Sequence, residues 1–463
     1  MRLLLSVALL CAPLCAFAAD DFNLNRLHAG DIAAQFENSD LEIPVITEPK
    51  AAVKPRQPAE WTVMIYMNGK SNVETFAVAD MNELEMAGSS AKVNVIAELG
   101  RMNGQDGDDT SNGNWSGVRR YYVTKDADLQ VINSPVIAQV GEVDMGDWRN
   151  VVSFVKWTQA NYPAKRYAFI LWDHGWGWID PPKTWKNDRE ANRSISHDFS
   201  KNSYISTTQL APMFRAIGHV DIFASMACFM QMAEVSYEIK DSADIIIGSE
   251  EVIQLASFDF AAIVASLNAN PFMTSENAAR VFTRTFYNLY TTPENAAGLK
   301  ESKYAVQLSA IRANRLAGLV RLVNQWTPLA MAANNPNALK AALDGVVRFE
   351  VGEFDTDPNK LVSYYGDLYN FVEIFTNSLP DTDMQAKAKG RELMNYMNNE
   401  LVIENVFFSQ DRTGKDYKNT HGLSIHIPGI AGTIIQPVNR YADLRLARES
   451  NWDDFIEYLK RYR

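Results

Sequence analysis

The feature that most constrains the fold is a series of short apolar runs separated by segments of helical periodicity. The first run, residues 61–67, ends at Asn68 and Gly69 and is typical of a strand buried on both faces. Further strand-like runs occupy 93–99, 120–123, 167–172, 220–225 and 243–248, and helical spacing occupies 73–86, 148–160, 207–217 and 230–240. This alternation predicts an α/β fold in which helices flank a mostly parallel central sheet.

The remaining regions indicate how the chain is divided. Beyond about residue 316 helical spacing dominates, and an apolar run at 423–427 predicts a closing strand that joins the core. Before residue 61, scattered charge and several prolines are typical of a propeptide or linker, residues 20–60. We therefore expect an α/β domain at 61–315 and a helix-rich subdomain at 316–463.

The N-terminus has the pattern of a secretory signal peptide. Arg2 precedes an apolar run, and Ala16 and Ala18 supply small residues near its end. The run is too short to span a bilayer comfortably, so no stable membrane insertion is expected after residues 1–19 are removed. We expect an exported protein, either periplasmic or extracellular.

Charge and cysteine content narrow the functional classes. The formal net charge of -12 makes nucleic acid a poor partner, and the sequence leaves the oligomeric state open. Of three cysteines, Cys11 and Cys15 lie in the signal peptide, so Cys228 alone remains and cannot form an internal disulfide. Cys228 is then either a buried apolar residue or a reactive thiol.

Two residues with catalytic chemistry follow predicted strands. His174 comes after 167–172 and Cys228 after 220–225, and the carboxyl ends of parallel strands meet at one edge of a sheet. An imidazole near a thiol supplies the base for a cysteine nucleophile, and the helix predicted from residue 230 would favour the thiolate. Gly175 permits close approach of a substrate carbonyl. Asp173 should point away from the imidazole, and a core histidine remains the alternative reading of His174.

No metal site is predicted. His421 and His426 are separated by an odd interval, so their rings would lie on opposite faces of a strand. Ser225 lacks the flanking glycines of a serine hydrolase nucleophile.

Segments in order along most of the chain from residue 61 resemble the clostripain family of cysteine peptidases, whose fold is shared with caspases and gingipains. The resemblance is carried by residues 61–67, 141–146, 162–164, 170–178, 227–230, 234–238, 247–251 and 421–428. It implies a caspase-like fold and a catalytic dyad of His174 and Cys228, with an oxyanion hole made by the backbone N–H groups of Gly175 and Cys228. It implies protein or peptide substrates and a thioester intermediate. The residues themselves require no cofactor, and the resemblance raises calcium as a candidate.

One position departs from the family pattern. Family members usually carry an acidic residue two positions before the nucleophile, which selects Arg or Lys in substrates, whereas this chain has Met226. We therefore expect a preference for neutral or apolar residues before the scissile bond. Asp259, after the next strand, is the carboxylate that could reach the same pocket. The resemblance also implies activation by cleavage in a loop, whose basic residues are Lys183, Lys186, Arg189 and Arg193.

The sequence thus predicts an exported cysteine endopeptidase. The alternative is a catalytically silent binding protein of the same fold.

Overall fold

A computed structural model describes residues 58–180, 195–254, 256–349, 364–428 and 440–462. The predicted signal peptide, all but the last three residues of the 20–60 segment, and the four basic residues of the predicted cleavage loop lie outside the described residues.

Thirteen strands form within the described ranges, and most follow the apolar runs of the sequence. In chain order they are β1 (Ala59–Gly69), β2 (Val93–Arg101), β3 (Gly117–Tyr122), β4 (Val136–Gly141), β5 (Ala164–Trp172), β6 (Ile195–Asp198), β7 (Ser203–Ile205), β8 (Val220–Met226), β9 (Ala243–Gly248), β10 (Val306–Arg312), β11 (Tyr365–Asp367), β12 (Val402–Phe408) and β13 (Ser424–His426).

The same ranges contain thirteen α-helices. They are α1 (Glu74–Ala87), α2 (Trp148–Asn161), α3 (Thr207–Ile217), α4 (Ala233–Ile239), α5 (Phe260–Ala269), α6 (Ser275–Tyr290), α7 (Pro293–Ser302), α8 (Leu316–Ala333), α9 (Pro336–Gly345), α10 (Leu368–Ser378), α11 (Met384–Tyr396), α12 (Arg445–Glu449) and α13 (Trp452–Leu459). None of them is long and apolar enough to cross a membrane.

These elements group into two compact units, each built from separated stretches of chain. The first contains described residues of 58–173, 196–204 and 254–304, and the second contains those of 174–195, 205–253 and 305–462. The domain division expected from the sequence, with a boundary near residue 315, remains a prediction.

The first unit is organised around β1. This strand lies between β5 and β2 and pairs in parallel with both, while β3 and β4 continue the sheet in antiparallel pairing. All eleven residues of β1 are buried, as its nearly continuous apolar sequence predicts. Helix α1 packs against α5 in this unit.

The second unit contains the strand that leads to Cys228. β8 pairs in parallel with β9, and β10 is antiparallel to both β9 and β12. Helix α3, which precedes β8, starts at a capping box formed by Ser206 and Gln209. β13 forms at the expected place but pairs with β11 in a separate two-stranded sheet.

The α/β fold class predicted from the sequence is confirmed. β1 pairs in parallel with β2 and β5, β8 pairs in parallel with β9, and the chain beyond residue 316 is rich in helix.

Candidate functional site

Cys228 lies two residues beyond the end of β8 and is partly exposed. The next residue, Phe229, is fully buried and has φ +60°, a left-handed conformation that is rare for a bulky side chain. Its backbone N–H donates to the carbonyl oxygen of Glu251 at 3.3 Å. The chain therefore turns sharply directly after the thiol, and the turn is held by the segment that follows β9.

Residues 230–232 are not helical, which corrects the helix predicted from residue 230. The N–H of Gln231 donates to Ser249 O at 3.0 Å, and Met232 forms a parallel bridge with Ser424. Because these backbone bonds go to neighbouring strands, α4 begins only at Ala233. The helix N-terminus is thus five residues from Cys228, so a direct effect of that terminus on the thiol is not supported.

The loop after β5 brings the predicted base to the same place. His174 follows Trp172 by two residues and is buried. A β-carbon built on Gly175 would lie 2.5 Å from the carbonyl oxygen of Cys228 and 3.1 Å from its nitrogen. The backbone next to His174 therefore packs directly on the peptide groups of Cys228.

Asp173 is held by groups at the end of β1. Its carboxylate accepts from Asn68 Nδ2 at 3.1 Å and from Ser71 Oγ at 3.3 Å. These bonds give the carboxylate a structural role in anchoring the chain just before His174.

Aromatic side chains surround the residues that follow His174. Trp176 contacts the ring of Phe229 edge-on, with 5.6 Å between ring centroids. The hydroxyl of Tyr365 donates to Trp176 O at 2.5 Å. Gly177 has φ +59°, and an added β-carbon would lie 2.5 Å from Met232 Sδ. The loop is therefore packed tightly from several sides.

The end of this loop is tied to β13 and α4. Trp178 Nε1 donates to His426 Nδ1 at 3.2 Å, and the His426 N–H donates to Glu234 Oε1 at 2.8 Å. The Tyr441 hydroxyl donates to the same oxygen at 2.7 Å. Burial raises the pKa of Glu234 to about 7.

His421 lies in a different environment from His426. Its ring stacks on Tyr369 with 3.6 Å between centroids, and burial lowers its pKa to about 4. The neutral imidazole of His421 is thus a packing group at ordinary pH.

The two predicted specificity residues have different environments. Met226 is the last residue of β8 and is buried. Asp259 caps α5, because its carboxylate accepts from the N–H of Ala262 at 2.8 Å. Burial raises the pKa of Asp259, which also shares a hydrogen bond with Glu83. The roles of Met226 and Asp259 in substrate binding remain predictions.

A buried acid pair made of Glu250 and Asp367 was not predicted from the sequence. Glu250 directly precedes the residue whose carbonyl accepts from the Phe229 N–H. Glu250 and Asp367 are fully buried and hydrogen-bonded to each other, and burial raises the pKa of Glu250 well above its ordinary value. Asp367 also accepts from the backbone N–H groups of Asn370 and His421. Burial also raises the pKa of Asp367, to about 7.

One group of side chains in the described part of the chain has the spacing of a metal site. Ligand atoms of His219, Asp221 and Asp244 lie within 4.8 Å of one another, at the starts of β8 and β9. That is the opposite end of β8 from Cys228. Calcium prefers six to eight oxygen ligands. These three side chains include a histidine nitrogen, so they do not match a calcium site.

The sequence profile of the clostripain family matches residues 65–459, which covers most of the chain. The chain belongs to the clostripain family. It is therefore a cysteine endopeptidase that acts on peptide substrates, as predicted, and this favours the enzyme over the silent binding protein.

Individual relatives agree with this family membership. Clostripain from Hathewaya histolytica is 22% identical, over 88% of this chain and 81% of that protein. A secreted C11 cysteine protease from Bacteroides thetaiotaomicron, solved with an irreversible peptide inhibitor, has a TM-score of 0.58 at 19% identity, over 86% of this chain and 100% of that chain. An inactive zymogen C11 protease from Parabacteroides distasonis has a TM-score of 0.58 at 18% identity, over 85% of this chain and 98% of that chain. These structures share the fold of this chain.

Proposed function

We propose that this clostripain-family endopeptidase uses Cys228 as its nucleophile and His174 as its general base. The observation that carries the proposal is the packing of Gly175 against the peptide groups of Cys228. That contact joins the segments bearing the thiol and the imidazole, and Cys228 is partly exposed while its neighbours are buried. A partly exposed cysteine next to a segment that carries a histidine has the environment of a reactive thiolate.

Acylation follows from these two groups. His174 takes the thiol proton, and the Cys228 sulfur attacks the scissile carbonyl carbon to give a tetrahedral intermediate. As the intermediate collapses, the C–N bond breaks and His174 returns the proton to the leaving amine. The acyl part of the substrate remains on Cys228 as a thioester.

Two backbone N–H groups, those of Gly175 and Cys228, are the proposed donors to the oxyanion of that intermediate. Their peptide groups are adjacent, because a β-carbon at Gly175 would lie 3.1 Å from the Cys228 nitrogen. Donors fixed by the fold stabilise the developing charge without reorganisation, and one such donor is worth about 10²–10³-fold in kcat.

Deacylation uses the same base. His174 removes a proton from a water molecule, whose oxygen attacks the thioester carbonyl. The carbon–sulfur bond breaks, the acid product leaves, and the proton returns to the Cys228 sulfur.

Substrate preference is proposed to follow from Met226. A thioether is an adaptable apolar wall that offers no partner to a substrate cation, and burying an unpaired guanidinium is costly. The enzyme should therefore prefer neutral or apolar residues before the scissile bond. Asp259 is the competing carboxylate, and its use as the cap of α5 supports the apolar preference.

Export is part of the proposal. The N-terminal pattern of residues 1–19 supports it, and one structural relative is described as secreted. N-terminal sequencing of the mature enzyme should give a start near residue 20. A chain that retains Met1 in the cell would contradict export.

The catalytic roles are tested by substituting each residue in the full-length enzyme. Cys228→Ala and His174→Ala should each lower kcat/KM by at least about 10³-fold, because the two groups act as a unit. His219→Ala, an exposed histidine at the far end of β8, is the matched control and should keep normal activity. Circular dichroism should be unchanged in all three variants. Near-normal turnover by either dyad variant would refute the proposed mechanism.

A further inference from the structure

Tyr365, in the short strand β11, is distant in sequence from both proposed catalytic residues. Its ring is fully buried, and in the register of β11 with β13 it lies opposite His426. The N–H of Phe349 donates to Tyr365 O at 3.0 Å, and the N–H of Ile427 donates to Tyr364 O at 2.7 Å. Neighbouring segments thus fix the backbone of Tyr365 from both sides.

Tyr365 contacts the loop that carries His174. Its hydroxyl donates to the carbonyl oxygen of Trp176 at 2.5 Å, two residues beyond His174. Its ring also lies against Gly177, where an added β-carbon would be 3.1 Å from Tyr365 Cζ. A buried tyrosine hydroxyl bound to a carbonyl fixes that peptide group in one orientation.

The same ring contacts the residue that follows Cys228. The centroids of Tyr365 and Phe229 are 5.4 Å apart, and Trp176 contacts Phe229 from another direction. Phe229 has the left-handed backbone conformation that turns the chain after the thiol, and such strain persists only when its surroundings hold it. Tyr365 is therefore a shared contact of the two loops.

We propose that Tyr365 is a positioning residue that sets the alignment of His174 with Cys228. This rests on the proposed function, in which these two residues form the dyad. The hydroxyl holds the His174 loop through Trp176, and the ring supports the turn at Phe229. Tyr365 itself exchanges no proton with the substrate.

The expected effect follows from the geometry of the dyad. A thiolate and an imidazolium stabilise each other only at close range, so a looser loop lowers the thiolate fraction. Substrate binding should change little, because the lost hydrogen bond to Trp176 O aligns His174 with Cys228 and does not contact the substrate. The change should therefore appear in kcat and in the acid limb of the pH profile.

Tyr365→Phe is the primary test, since it keeps the ring and removes only the hydroxyl. Its matched control is Tyr290→Phe, which removes an equally buried hydroxyl that donates to Gln254 O at 2.8 Å in the first unit. We expect Tyr365→Phe to lower kcat about tenfold with little change in KM. We also expect the acid limb of kcat/KM to move to higher pH. Tyr290→Phe should lower the melting temperature similarly and leave the kinetics unchanged.

Phe229→Leu is the second variant and keeps the test open if Tyr365→Phe does not fold. It retains apolar volume but loses both ring contacts, so it should show the same fall in kcat and the same pH shift. If the folded variants behave kinetically like Tyr290→Phe, the positioning role is overturned while the dyad stands, provided that Cys228→Ala and His174→Ala are inactive. If either Cys228→Ala or His174→Ala stays active, the proposed dyad is wrong, and so is the positioning role of Tyr365.

Discussion

Gly175 and Cys228 are in backbone contact: a β-carbon added at Gly175 would lie 2.5 Å from the carbonyl oxygen of Cys228. No rotamer can relieve such an overlap, because the backbone fixes the position of a β-carbon and the carbonyl oxygen it would meet belongs to the main chain. The position therefore requires glycine for space. The sequence motif of Asp173, His174 and Gly175 thus combines an anchoring carboxylate, a proposed base and a close approach to the proposed nucleophile.

Gly175→Ala should strongly impair catalysis. The added methyl group must push the His174 loop away from Cys228, and a shift of about 1 Å at a catalytic site can cost about 10²-fold in kcat. Steady-state kinetics on a peptide substrate measure the effect. Gly345→Ala is the control, because its nearest neighbour is the flexible end of Ile374 at 3.1 Å. Equal activity of the two variants would mean that the Gly175 contact does not matter for catalysis.

Met226→Asp should create activity toward basic substrates. A carboxylate there would pair with Arg or Lys before the scissile bond, and we expect a gain of about tenfold or more for such peptides. A fluorogenic panel that varies only that substrate position measures it, and Met226→Asn controls for polarity without charge. A dominant preference of the unmodified enzyme for Arg or Lys would contradict our interpretation of Met226.

Glu250→Gln should reduce the loss of stability at high pH. The folded state raises the pKa of Glu250, so between the unfolded pKa and the folded one the native protein holds a proton that the unfolded chain has released. The free energy of unfolding therefore falls as pH rises from about 4.5, the ordinary range for Glu. Glutamine keeps a donor toward Asp367 and removes this titration.

Urea unfolding between about pH 5 and pH 8 measures this difference. Over this interval the free energy of unfolding should fall less for the variant than for the unmodified protein. If the free energy of unfolding had the same pH dependence in both proteins, the Glu250–Asp367 pair would make no contribution to that dependence. Glu404→Gln, on the partly exposed β12, is a control that should leave the pH dependence unchanged.

Strands such as β1 and β2 were predictable because all of their residues are buried, which leaves a nearly continuous apolar run. The sheet strands β4, β10 and β12 were not predicted. The start of α4 was not, because residues 230–232 make backbone bonds to Ser249 and Ser424, which a local pattern does not reveal. In such cases tertiary hydrogen bonds override helical periodicity.

The proposed catalytic residues could be recognised from the sequence because each follows a strand and lies in a family motif. Tyr365 could not, since β11 has only three residues and its partners are Trp176 and Phe229, far away in the chain. Lys70 was also missed. It follows a strand and resembles a surface turn residue, yet it is fully buried beside Asp198 and donates to Val143 O at 2.8 Å.

The most direct test of the Cys228–His174 pair is the pH dependence of the alkylation rate of Cys228. Iodoacetamide labelling of the folded enzyme and of His174→Ala should be followed between about pH 5 and pH 9, with peptide mapping to assign the site. We predict stoichiometric labelling of Cys228 with a midpoint well below about 8.5, the ordinary thiol pKa, and a shift toward that value in His174→Ala. Identical curves for the two proteins, or labelling only after unfolding, would contradict the account.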